Sequence, residues 1–224
     1  MTLIMQNSAR FFLLFLTLVA CKQATKQNYN TDSYSEPIIT EFKKGDKMDE
    51  NEFWKIIDYS MANSNGNRET QEKLILEKLL SYSLEEITSF EIIFRQLVIE
   101  ADDFKIMGAE KIIEGWVMDD SYLYFRCWLI GQGQRTFEEA LKEPDYLANI
   151  VSKGEYTNFE ELMYVATKAY SQISGKEEDE TFPRGVAIIA KELDYDFGAP
   201  PTKGTDWTED QLPSLYPKLW AKFH

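Results

Sequence analysis

"SLEEITSFEIIFRQLVIE", residues 83–100, is the stretch on which the reading of the fold turns. Ser83 and Glu86 stand three apart ahead of an apolar run. At that spacing a serine hydroxyl caps a first-turn amide and the glutamate caps the serine's own amide in return. Beyond this start, Phe90, Ile93, Phe94, Leu97 and Val98 recur at intervals of three and four, which places them on one face of a helix. A broad apolar face of this kind is stable only when other elements cover it.

The same period continues on both sides. Phe53, Ile56, Ile57 and Met61 mark an earlier helix, and Leu74, Leu76, Leu79 and Leu80 another after the turn Asn63-Ser64-Asn65-Gly66-Asn67. Downstream, Ile106 to Gly115 reads as a short helix. Thr136 with Glu139 is expected to cap "TFEEALKE", which Pro144 closes, and Asn158 with Glu161 to cap "FEELMYVATKAYSQI". In the latter, Leu162, Val165, Ala166, Ala169, Tyr170 and Ile173 form the apolar stripe. After the acidic turn "GKEEDE", Gly185 to Leu193 reads as a shorter helix, and Thr208 to Phe223 as helical turns interrupted by Pro213 and Pro217. Period-two alternation is almost absent and no long repeat is visible. The predicted fold is mainly α, a single compact multi-helix domain over residues 48–224 with little or no sheet.

"DDSYLYFRCWLIGQG", residues 119–133, carries the sharpest chemical question. Asp119 or Asp120 is the expected N-cap, with Gly131 or Gly133 near the stop. Arg126 sits among Tyr124, Phe125, Trp128, Leu129 and Ile130, neighbours that predict its burial. Asp119 lies about 10.5 Å from it along a helix axis, too far to pair. A buried guanidinium therefore needs a carboxylate from elsewhere, with Glu91, Glu161 and Asp145 as candidates. Asp119, Asp120, Arg126 and Trp128 are thus the candidate partner- or ligand-contacting residues. The alternative role for Arg126 is an inter-helix staple.

Lys and Arg total 24 against 38 Asp and Glu, a net charge of -14, which argues against nucleic acid and favours basic proteins, cations or neutral ligands. The one histidine is the final residue, His224, so catalysis by a histidine base or a His-ligated zinc is not expected. Neither a metal nor a cofactor is expected. The doublets Asp102-Asp103 and Asp119-Asp120 and the run Glu177 to Glu180 read as solvated acidic faces. "DYDFG", 194–198, fails as a calcium loop: its glycine falls one place early and Thr205 stands where the closing glutamate belongs.

The first twenty residues, "MTLIMQNSARFFLLFLTLVA", carry one charge, Arg10, ahead of a run from Phe11 to Ala20 that is too short to span a bilayer. "LVAC", 18–21, resembles a bacterial lipoprotein cleavage box. Residues 1–20 are therefore expected to be a signal peptide, starting at Met1 or Met5, with Cys21 lipidated and anchored to a membrane of the bacterial cell envelope. Residues 21–47 read as a flexible tether, with a short strand at Pro37 to Phe42 able to dock on the domain. Only Cys127 then remains, so no internal disulfide forms and its expected role is that of a small buried hydrophobe.

Four segments, "ENEFWKIID", "LSYSLEEITSFEIIF", "DDSYLYFRCWLIGQGQRTFEEALKEPDYLA" and "FEELMYVATKAY", resemble the bacterial domain of unknown function 4240 over about Glu50 to Tyr170. Asp119, Asp120, Phe125, Arg126, Trp128, Leu129, Gly133, Pro144, Asp145 and Leu147 match its spacing. The closing "WTEDQLPSLYPKLWAKF" looks like the family's tail. The chain departs from the pattern at Glu114 to Met118 and at "DDFKIMGAEKII". The family has no established reaction, so the resemblance implies a fold and no activity.

The leading functional expectation is a lipid-anchored binding module for a protein partner, in one version an immunity-like protector against a basic protein. A carboxylate-based envelope enzyme, with or without a divalent metal, is one alternative. A carbohydrate-binding lipoprotein using Trp116, Tyr122 or Trp207 as stacking platforms is the other.

Overall fold

The Asp49 carboxylate accepts the Glu52 amide at 2.8 Å and opens α1, Glu50–Asn63. The chain reverses through Asn65 and Gly66, both at positive φ, before Asn67 caps α2, Arg68–Leu79. The reciprocal capping box of Ser83 and Glu86 opens α3, Leu84–Glu100. Asp103 then caps α4, Phe104–Glu114, which ends at a left-handed Gly115. Next come α5, Asp119–Gly131, and α6, Gln134–Lys142, followed by a 3-10 turn at Pro144–Asn149. A second 3-10 turn, Glu160–Tyr164, runs into α7, Val165–Ser174. The short α8, Pro183–Gly185, continues as a π turn over Val186–Ala190. A 3-10 turn at Glu209–Gln211, then α9, Leu212–Leu215, and α10, Pro217–Phe223, complete the order. This computed structural model describes residues 47–224; the expected signal peptide, the Cys21 lipid site, the docking strand and all but the last tether residue lie outside the described residues.

α3 is the hub, packing against α1, α5, α7 and α8. Phe90, Phe94 and Val98 are fully buried, as their spacing predicts, and the Phe53 and Phe90 rings meet at 4.6 Å. Each such side chain contributes roughly 1.5–3 kcal/mol by leaving water. Among the described residues there is no strand; the one β-bridge pairs Asp103 with Lys203. No described helix is long and apolar enough to cross a membrane.

Several boundaries differ from the expected ones, each for a local reason. Asp119 and Asp120 are not caps: Met118 holds that position, and the Ser121 hydroxyl accepts its N–H at 2.9 Å. The two aspartates occupy the first turn, where their charge still favours the helix dipole. Thr136 does not open α6. The helix starts at Gln134, whose amide reaches Asp58 on α1 at 3.0 Å, a cap supplied by another helix. Gly133, at φ 88, has no Cβ to collide with that Asp58 carboxylate. Asn158 does not form the expected cap with Glu161: Phe159 holds the cap position, Asn158 accepts the Glu160 amide at 3.0 Å, the backbone stays 3-10 until Tyr164, and Ile173 at the far end of the stripe is 42% exposed. The helix expected at Gly185 to Leu193 starts at Pro183 and ends at Ala190. Pro213 lies in the first turn of α9, where no amide donor is needed, and so does not interrupt it.

Candidate functional site

The first half of α5 forms one wall of a groove whose other wall is the loop around Tyr195 to Phe197. Two hollows, of about 350 and 370 Å³, share Asp120, Leu123, Tyr195, Asp196 and Phe197. Arg126 and Asp102 lie in the first hollow, Arg95 and Arg184 in the second.

The loop is fixed at both ends. Lys203 donates its amide to Asp102 O at 3.0 Å and accepts that of Phe104 at 2.9 Å, which stitches the loop to the turn between α3 and α4. At the other end, Asp194 accepts the amides of Asp196 at 3.0 Å and Gly198 at 2.8 Å. "DYDFG" is thus an aspartate-centred turn, and a Cβ on Gly198 would fall 2.7 Å from the Asp194 carboxylate. The turn leaves Phe197 99% exposed beside the groove while Tyr195 is buried against Phe94.

Arg126 is only 5% exposed. Its Nη1 donates to Val98 O at 3.2 Å, its Nε to Tyr122 O at 3.4 Å, and its guanidinium stacks 4.6 Å from the Tyr122 ring. The carboxylate it meets is none of the three expected. It is Asp102, with Oδ2 at 3.6 Å and the residue 8% exposed. Tyr122 positions that partner: its hydroxyl accepts the Asp103 amide at 3.0 Å and lies 3.1 Å from Ala101 O, pinning the turn from which Asp102 projects. Glu91 is occupied by Arg95 at 2.6 Å, and Asp145 accepts the amides of Lys218 and Leu219 at the start of α10. Glu161 lies near Arg68 instead.

The groove also contains the second buried arginine. Arg95 donates to Leu193 O at 3.0 Å and stacks 4.2 Å from the Tyr195 ring, so it holds the loop from below. Burial raises the Tyr195 and Tyr122 hydroxyls well above the ordinary phenol range, so neither ionises at neutral pH.

Asp119, Asp120 and Asp196 are exposed along the groove. None of the ion pairs among the described residues engages them. Trp128, by contrast, is fully buried away from the groove, its ring 5.3 Å from Phe125. With its amide oxygen turned toward the donors, Gln132 accepts from Trp128 Nε1 at 3.0 Å.

The expected stacking platforms divide. Tyr122 is buried, Trp207 is half-buried and donates to Phe104 O at 2.7 Å, and Trp116 is 42% exposed. Cys127 is fully buried, and burial pushes its thiol up to about 12, leaving it inert as a nucleophile. Among the described residues no group of three or more His, Cys, Asp or Glu side chains is placed to hold a metal ion. Asp102 is not part of a solvated face, and its neighbour Asp103 is the α4 cap.

Sequence reasoning missed Glu110 entirely. It is fully buried on α4, and burial raises its pKa to about 8, with the Ser121 hydroxyl and Arg126 opposing the rise and Glu114 adding to it. Nothing in its local sequence marks it, since a glutamate in a helix is ordinarily exposed.

These features define an all-helical domain with a groove that is aspartate-walled outside and floored by paired arginines. Over residues 48–172, more than half its length, the chain matches the family described as Protein of unknown function (DUF4240), and it belongs to that family. The matched residues include Arg95, Asp102, Asp120 and Arg126, whereas the loop around Tyr195 and the closing helices lie beyond them. No curated protein and no solved structure matches the chain.

Proposed function

We propose that the protein is a lipid-anchored envelope module that acts by binding a basic protein, in the manner of an immunity protector. The observation that carries this reading is the set of exposed aspartates, Asp119, Asp120 and Asp196, left without cationic partners along a groove of a chain with a net charge of -14. Like charges gathered at a surface cost free energy in the unbound state and repay it when a cationic surface arrives, which speeds association and selects the partner. The buried arginines support binding over catalysis. Arg95 and Arg126 are each committed to a carboxylate and to backbone carbonyls, an arrangement that holds groove walls in place. The anchor is supplied in this reading by Cys21, after removal of residues 1–20.

Two measurements test the reading. Intact mass of the membrane-fraction protein should show a chain beginning at acylated Cys21 that disappears in Cys21→Ser; an unprocessed, unlipidated wild-type chain removes the envelope placement. Capture from an envelope extract should retain a basic protein that salt releases, because screening shortens the reach of surface charge to about 3 Å at 1 M. Retention of only salt-insensitive or acidic proteins would sink the binding proposal.

A further inference from the structure

We infer that the groove between α5 and the loop 194–198 is the docking site itself, and that its occupant is an extended protein segment presenting a lysine or arginine beside an apolar side chain. This rests on the binding reading above and gives it a surface.

Two independent features fit that occupant. First, the wall charge is uncompensated: Asp119, Asp120 and Asp196 line the first hollow and take part in no ion pair among the described residues, whereas Arg126 below them is matched by Asp102. A cation entering the hollow meets a net negative field. Second, Phe197 is 99% exposed because the Asp194 turn projects it, with Leu123 and Met107 also in the wall. A fully exposed phenylalanine next to acidic groups is matched by a segment that alternates basic and apolar side chains. An anionic occupant would have to pass the aspartates to reach arginines already paired with Glu91, Asp102 and Glu178.

The test is an NMR titration of the full-length chain with two blocked tripeptides, acetyl-Leu-Lys-Leu-amide and acetyl-Leu-Glu-Leu-amide, and with inorganic phosphate. The lysine peptide should shift the resonances of Leu123, Tyr195 and Phe197 saturably. Its affinity should fall about tenfold in the triple variant Asp119→Asn, Asp120→Asn, Asp196→Asn, the sum of three modest surface-charge terms. Phe197→Ser should weaken it separately. All four substituted residues are exposed, so the variants retain the core. A lysine peptide that leaves the groove unshifted, or binds the triple variant equally well, overturns the inference. So does preferential binding of the glutamate peptide or phosphate. Envelope capture with the same triple variant separates this claim from its parent. A basic protein retained equally by both chains leaves the binding reading standing and removes the groove. Loss of that protein from the variant supports both.

Discussion

Arg95 on α3 reaches Glu91 one turn back on its own helix at 2.6 Å, whereas Arg126 on α5 reaches Asp102, in the turn after α3, at 3.6 Å. Both arginines are buried, both stack on a tyrosine and both donate to a backbone carbonyl of another segment. They differ in what places the carboxylate. For Arg95 the helix does so, because residues four apart share a face and the ion pair forms with the helix. For Arg126 the placement depends on Tyr122 pinning the turn at Ala101 to Asp103, so the pair exists only after α3 and α5 have packed. Each pair borders a hollow and retains one unpaired carboxylate oxygen, but the Arg95 pair is the shorter and the more deeply buried of the two.

Removing one partner of the shorter, more deeply buried pair should have the largest consequence. Glu91 is fully buried, and burial raises its carboxyl above the usual range against the pull of Arg95. Glu91→Ala strands a guanidinium in the core and should cost about 3–5 kcal/mol in urea unfolding. The double variant Glu91→Leu, Arg95→Met should recover most of that loss, and failure to recover would mean that Arg95 matters chiefly through Leu193 and Tyr195.

Glu110 sharpens the Arg126 side of the comparison, since that arginine is near enough to oppose its raised pKa. Folding lifts Glu110 from the ordinary 4.5 to about 8, so across that window the native chain keeps a proton that the unfolded chain has released. Stability therefore falls as pH rises from 4.5 to 8. Glu110→Gln should be nearly neutral at pH 4 and stabilising by about 4 kcal/mol at pH 8, read from urea midpoints across the range. A flat difference would show that the carboxyl titrates normally.

The smallest effect is expected at the longer pair. Asp102→Asn keeps the shape and part of the hydrogen bonding while removing the charge that faces Arg126, and should cost about 1–2 kcal/mol. A cost equal to that of Glu91→Ala would erase the contrast between the two arginines.

How much of this was legible before folding follows the same division. The capping box at Ser83 and Glu86, the buried face of α3 and the all-helical class were readable, because they depend on residues within a turn or two of each other. The cap of α6 was not, because Asp58 comes from another helix. The burial of Arg126 could be inferred from its apolar neighbours, but its partner could not, because Asp102 sits in a turn that only Tyr122 brings close. Glu110 gave no sign at all, since its burial is decided by what covers α4.

By itself the sequence determined the helical class, the apolar face of α3, the acidic balance and the absence of any histidine but His224, all consequences of short-range spacing and composition. Only the tertiary structure decided which carboxylate faces which arginine, that the Asp194 turn projects Phe197 outward, and that Asp119, Asp120 and Asp196 share one groove. Those pairings join residues far apart in the chain, and they are chosen by the packing of α3, α5 and the loop at Lys203 rather than by any local preference.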